Sequence, residues 1–163
     1  VLDLGCGTGH LTQRLHETYP TADIVGADLS GCMLDHATER VGDGATFVRA
    51  NAQCLPLADA SFDVITCTES FHWYHDQNAA AAELARLLRP GGRLIIASIA
   101  AITDLGDDVI ERATSVAGRP VKAISKRKLK RLVETHGFRV EHQARIARLG
   151  FVPWPMLTDA VRR

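Results

Sequence analysis

The chain has 163 residues, a length that suits one domain burying roughly two thirds of its unfolded surface. Apolar residues make up 46% and charged residues 23%, and 19 basic side chains balance 19 acidic ones, so no global attraction to nucleic acid or an acidic membrane is expected. The longest apolar-rich run, residues 94–102, is half the length of a membrane-spanning helix, and cysteines at 6, 32, 54 and 67 are spaced for neither a zinc framework nor a disulfide scaffold. A reducing, cytoplasmic setting fits that cysteine usage.

Residues 1–4 predict a strand, followed by a glycine loop over 5–9 and a helix with Leu11 and Leu15 on one face. A second strand over 24–27 ends at Asp28. Ser30 is the N-cap expected for a helix carrying Met33, Leu34, Ala37 and Val41, which Gly42-Asp43-Gly44 breaks. Strands are expected at 46–49 and 62–67, separated by a loop holding Leu55-Pro56. Asp76 is placed to cap an alanine-rich helix burying Leu84, Leu87 and Leu88. Pro90-Gly91-Gly92 then stops that helix and leads into a strand at 94–97. Beyond residue 100 a helix is expected at 103–117, another from Ser125 through His136, and a strand over 138–146. The proline pair in Phe151-Val152-Pro153-Trp154-Pro155 excludes regular helix there. Strand-helix alternation of this kind predicts an α/β fold with a doubly wound, mostly parallel sheet.

Asp3-Leu4-Gly5-Cys6-Gly7-Thr8-Gly9 lies between a strand and a helix, where a nucleotide-binding loop belongs. The spacing is G-x-G-x-G, and His10 stands where a dinucleotide fingerprint has its last glycine, which disfavours a nicotinamide cofactor. Asp28, ending the second strand, suits the hydroxyls of any ribose and does not discriminate between ligands. The segment Glu69-Ser70-Phe71-His72-Trp73-Tyr74-His75 concentrates aromatic and titratable groups after the fourth strand. His72 and His75 lack the cysteine or carboxylate partners of a metal site, so no metal is expected. Lys122, Lys126, Arg127, Lys128, Lys130 and Arg131 form a basic run over an apolar face of Leu129, Leu132 and Val133. That pattern favours a solvated helix exterior over a nucleic-acid surface.

Residues 1–9 resemble motif I of class I S-adenosylmethionine (SAM)-dependent methyltransferases, particularly the type 11 group of small-molecule enzymes. Ala27-Asp28-Leu29-Ser30, Asn51-Ala52 with Leu55-Pro56, Ser61-Phe62-Asp63-Val64-Ile65, Leu88-Arg89-Pro90-Gly91-Gly92-Arg93-Leu94 and His136-Gly137-Phe138 match further motifs in the family's order, across residues 1 to about 145. The resemblance implies strand order 3-2-1-4-5 with further strands beyond, SAM as cofactor and a small-molecule acceptor. It implies that Gly5 and Gly7 form the loop under the methionine part of SAM and that Asp3 holds its amino group. Asp28 would accept the ribose hydroxyls, and the Thr68 backbone would face the methionine moiety. Met33 either packs on adenine or is an ordinary helix residue. Asn51 stands where the family commonly has Asp, and with Ala52 would read adenine with somewhat weaker binding. Phe71, His72 and Trp73 are the candidate acceptor-side residues. His72 is either a catalytic base or the donor of a local hydrogen bond beside apolar walls. Because the first residue already lies inside motif I, the reading expects a single domain over 1–163 that lacks an upstream helical segment. A non-catalytic SAM-fold binding module is the alternative. Acceptor identity and oligomeric state are not read from the residues.

Overall fold

The computed structural model describes residues 1–99, 121–146 and 155–163. The first half alternates strand and helix as the periodicity predicts: β1 (Leu2–Leu4), α1 (His10–Thr18), β2 (Val25–Asp28), α2 (Gly31–Val41), β3 (Thr46–Arg49), β4 (Phe62–Thr68), α3 (Gln77–Leu87) and β5 (Leu88–Ile99). Then come α4 (Lys126–Thr135), β6 (Phe138–Arg145) and β7 (Pro155–Arg162). Each predicted cap is made: Ser30 Oγ accepts from Met33 N, Asp76 from Asn78 N and Ala79 N, and Ser125 from Lys128 N. These bonds satisfy amide groups that the first helical turn leaves without intrahelical partners. Gly42–Gly44 is a short 3-10 turn that ends α2.

The seven strands form one sheet in the order β3-β2-β1-β4-β5-β7-β6, parallel from β3 through β5 and antiparallel at β7 and β6. The chain runs outward from β1 through β2 to β3, then crosses to the other side of β1 as β4. That reversal opens a crevice at the carboxyl ends of β1, β2 and β4, where ligands of such sheets sit. Leu2, Leu4, Ile65, Leu84, Leu88, Leu94, Ile96 and Phe138 are the fully enclosed centre of the core, between the sheet and the helices.

Two elements differ from expectation. Leu88 opens β5 rather than closing α3, since it pairs with Phe62 across a register shift and continues into the expected 94–97 strand. On α1 it is Thr12 that is buried, with Leu11 and Leu15 only partly so. The antiparallel strand β7 is among the further strands that the resemblance implies, but no local pattern locates its residues. Its core-facing side is Met156, Thr158 and Ala160, and a fully buried threonine disguises the alternation; Thr158 Oγ1 accepts from Gln143 Nε2 at 3.0 Å. The expected helix over 103–117, and all but the last residue of the 151–155 segment, lie outside the described residues.

Candidate functional site

The glycine loop is shaped by contacts from both neighbouring strands. Gly5 N and Cys6 N both donate to Ala27 O, at 2.7 and 3.1 Å, which joins the loop to the end of β2. Gly5 has φ +73°, and a Cβ built on it would stand 2.4 Å from Ser70 Cβ and Oγ, so only glycine fits. Gly7 also has a positive φ, +53°, yet an added Cβ would meet nothing within 4 Å. The loop is therefore packed on one side and open on the other.

Ser70 reaches Gly5 because Glu69, just past β4, adopts φ +54° and turns the chain back over the loop. Ser70 Oγ donates to Leu4 O at 3.1 Å and lies within hydrogen-bond range of Tyr74 Oη and Cys67 Sγ, at 3.2 and 3.1 Å. Burial raises the pKa of Tyr74 well above its usual value and that of Cys67 to about 11, so both hold their protons at neutral pH.

A cavity of about 380 Å³ occupies the crevice. Leu4 and Gly5 form its floor, with Ala27, Asp28 and Leu29 at the end of β2 and residues 50–53 beyond β3. Ser70, Trp73, Tyr74 and His75 make the wall on the β4 side. Asp28 Oδ2 accepts from Gly7 N and Oδ1 from Ser30 N, both at 2.9 Å. A carboxylate has about four acceptor positions, so two remain for hydroxyls arriving from the cavity. Asn51 Oδ1 accepts from both Gln53 N at 3.0 Å and Gln53 Nε2 at 3.1 Å. The loop after Asn51 and Ala52 is tied to α3. Glu83 Oε2 accepts from Leu55 N, and Arg86 donates to Leu55 O, Leu57 O and Asp59.

Of the residues singled out in the sequence, Gly5, Asp28, Asn51, Ala52 and Trp73 line this cavity. Asp3, Gly7, Met33, Thr68, Phe71 and His72 do not. Asp3 is 1% exposed behind the loop, accepting from Thr12 Oγ1 at 2.7 Å and Thr66 Oγ1 at 3.2 Å; burial raises its pKa against the lowering effect of those bonds. Met33 stands exposed on the first turn of α2. Phe71 is fully buried in the core. His72 is 2% exposed, its Nδ1 3.0 Å from Ser98 Oγ, and burial lowers its pKa to about 4. The 3-10 turn Phe71–Trp73 thus directs its first two side chains inward and Trp73 outward, 51% exposed at the cavity mouth. The local hydrogen bond, one of the two roles expected for His72, is present at Ser98. The histidine that lines the cavity is His75. Ser70, Tyr74 and His75 were within reach of the sequence, since all three belong to the aromatic segment after β4, but periodicity cannot orient an irregular turn.

A cavity of this volume lies within the range of small-ligand sites. Gly5 at the floor of the cavity and the spare acceptor positions on Asp28 fit an adenosine-type cofactor. A family model described as a methyltransferase domain matches residues 2–96. The chain is 39% identical over 100 residues to a malonyl-[acyl-carrier protein] O-methyltransferase of Hahella chejuensis, covering 61% of this chain and 36% of that protein. It is 40% identical over 99 residues to a demethylmenaquinone methyltransferase of Deinococcus radiodurans, covering 59% and 41%. The match thus spans less than half the length of these curated relatives. Among solved structures, an S-adenosylmethionine-dependent methyltransferase from Mesorhizobium loti superposes with a TM-score of 0.83 at 22% identity, covering 99% of this chain and 89% of that one. The [4+2]-cyclase SpnF superposes equally well, at 0.83 and 17% identity over 99% and 73% of the two chains, so this fold by itself does not specify methyl transfer. With the matched model covering more than half of its residues, from β1 into β5, the chain belongs to the class I SAM-dependent methyltransferase family, in its type 11 methyltransferase-domain group.

Proposed function

We propose that this chain transfers the methyl group of S-adenosylmethionine to a small-molecule acceptor presented at the mouth of the β1–β4 crevice. The observation that carries the reading is the Asp28 carboxylate. It lines the cavity together with Gly5 of the glycine loop, with two acceptor positions left after Gly7 N and Ser30 N are satisfied. Two is the number that a ribose diol requires. Bound there, the cofactor supplies an electrophilic methyl carbon on a sulfonium, which is the hard part of the chemistry.

What the protein contributes is placement and exclusion of water. Gly5 is held down by Ser70, so the floor of the crevice is rigid. Leu29, 65% exposed at the cavity edge, offers apolar surface to the adenine more directly than Met33. Asn51 and the Ala52 backbone stand at the end where a base edge would lie. Trp73 walls the acceptor side. His72 is 2% exposed and does not line the cavity, whereas His75 does, so His75 is the better-placed group for proton removal where an acceptor requires it. A carboxylate acceptor requires none. The two curated relatives are named for a malonyl-[acyl-carrier protein] and a demethylmenaquinone, which are chemically different acceptors.

Titration calorimetry with SAM tests the cofactor assignment, and absence of binding at millimolar ligand refutes it. Asp28→Ala removes two hydrogen bonds to a charged acceptor, each worth about 1.5–3 kcal/mol, so affinity is expected to fall by at least about a hundredfold. Unchanged affinity removes Asp28 from the site. Transfer of labelled methyl to any member of a panel of carboxylates, phenols and amines separates a catalyst from a SAM-fold binding module.

A further inference from the structure

The last turn of helix α2 touches the glycine loop one residue beyond the Gly7 amide that bonds Asp28. Arg40, on its last turn, donates from Nε to Thr8 O at 2.8 Å, across 32 residues of sequence. Thr8 precedes Gly9, the N-cap of α1, so its carbonyl belongs to the loop rather than to the helix ladder. One turn earlier on α2, Ala37 is fully buried against Gly9. A Cβ added to Gly9 would stand 3.0 Å from Ala37 Cβ and 3.3 Å from Val41 Cγ2. At the other end of the helix, the N-cap Ser30 donates its backbone N–H to Asp28 Oδ1, while Asp28 Oδ2 holds Gly7 N. These bonds form a closed circuit: Asp28 to Gly7, along the loop to Thr8, through Arg40 into α2, and back through Ser30 to Asp28.

We infer that Arg40 is a positioning residue for the cofactor site, making α2 a brace that holds the glycine loop at a set distance from the Asp28 carboxylate. The inference rests on the proposed SAM site. Gly9 N donates to Cys6 O at 3.0 Å and holds the N–H side of the Thr8–Gly9 peptide within the loop, while Arg40 holds the carbonyl side of the same peptide from α2. Without Arg40 that carbonyl loses its tie to the helix, and the loop that carries the Gly7 amide is less fixed relative to Asp28. The guanidinium ties down that peptide from outside the cavity, touching no ligand. Its effect is therefore on the preorganisation of the site, which ordinarily appears in affinity and dissociation rate more than in fold stability.

The test uses S-adenosylhomocysteine as the probe and compares Arg40→Met, Arg40→Lys and a control, Arg14→Met, whose wild-type side chain pairs with Glu17 on the exposed face of α1. Arg40→Met is expected to weaken binding by roughly three- to tenfold, the scale of one exposed charge-assisted hydrogen bond. Dissociation should be faster and the melting temperature nearly unchanged. In the ligand-free protein, amide exchange of Gly7 and Gly9 should accelerate while that of β1 and β4 stays as in wild type. Arg40→Lys should recover part of both effects, and Arg14→Met should show neither. Wild-type affinity and loop exchange in Arg40→Met overturn the inference. So does weaker binding accompanied by lost protection throughout the sheet, which would make Arg40 an ordinary stabilising residue. If wild-type protein binds no S-adenosylhomocysteine, the proposed function falls, while the exchange of the two loop amides still decides whether Arg40 braces the loop.

Discussion

Two glycines in one loop should respond to the same substitution in different ways, and the contrast measures what the loop is for. In Gly5→Ala the new methyl carbon would stand 2.4 Å from Ser70 Cβ and Oγ, on a backbone with φ +73°. Left-handed backbone costs an alanine roughly 1–2 kcal/mol, and overpacking a tight site typically adds about 1–3 kcal/mol, so a destabilisation of about 3 kcal/mol is expected. In a domain of this size that corresponds to a fall in melting temperature of roughly 6–12 °C. In a Ser70→Gly background the obstructing Ser70 atoms are gone and the loss of its hydrogen bonds is already counted, so Gly5→Ala should there cost about half as much, leaving the backbone term. Gly7→Ala has φ +53° and no atom within 4 Å of the new carbon, so only about 1–2 kcal/mol of backbone cost is expected. Gly7 does not line the cavity but its N–H bonds Asp28 Oδ2, so backbone strain there should loosen the carboxylate proposed to hold the ribose and lower SAM affinity several-fold in a folded protein. Urea melts of Gly5→Ala, Gly7→Ala, Ser70→Gly and Gly5→Ala/Ser70→Gly, with calorimetric titration of SAM into each, give the comparison. A Gly5→Ala chain as stable as wild type, or an equal cost of Gly5→Ala with and without Ser70, refutes the packing argument. Unimpaired SAM binding by Gly7→Ala refutes the coupling of the loop to Asp28.

His72 is buried with a pKa lowered to about 4, whereas the unfolded chain binds the proton near 6.5. Its contribution to stability is therefore complete above pH 6.5 and lost as pH falls towards 4; allowing for partial screening, about 2 kcal/mol should separate wild type from His72→Asn in their change between pH 7 and pH 4, and parallel urea-melt curves would exclude this. Burial raises the pKa of Asp3, so its ionised form opposes folding as pH rises through and above the usual carboxylate range. Asp3→Asn should lose less stability than wild type between pH 4 and pH 8, and a larger loss in the variant counts against the burial argument. Asn51 spends its amide oxygen on two bonds from Gln53. Asn51→Asp supplies a second acceptor oxygen and should tighten SAM binding by about tenfold, the scale of one hydrogen bond, in a calorimetric titration; weaker binding places the adenine elsewhere.

The amino-acid sequence by itself determined the α/β alternation, the caps at Ser30, Asp76 and Ser125, the glycine loop and the acidic end of β2. Each of these is encoded within about four residues, by apolar spacing or by a side chain bonding a nearby amide. Tertiary structure alone decided which side chains face the crevice. Phe71, His72 and Trp73 are consecutive, yet the first two turn into the core and the third into the cavity wall, because Glu69 reverses the chain and Ser98 captures the imidazole. The same holds for Asp3, drawn behind its own loop by Thr12 and Thr66, and for β7, whose buried Thr158 hides a strand that pairs with residues some sixty positions earlier. Such contacts join distant segments, so no local pattern records them. The closure of the glycine loop by Arg40, 32 residues away, is of the same kind.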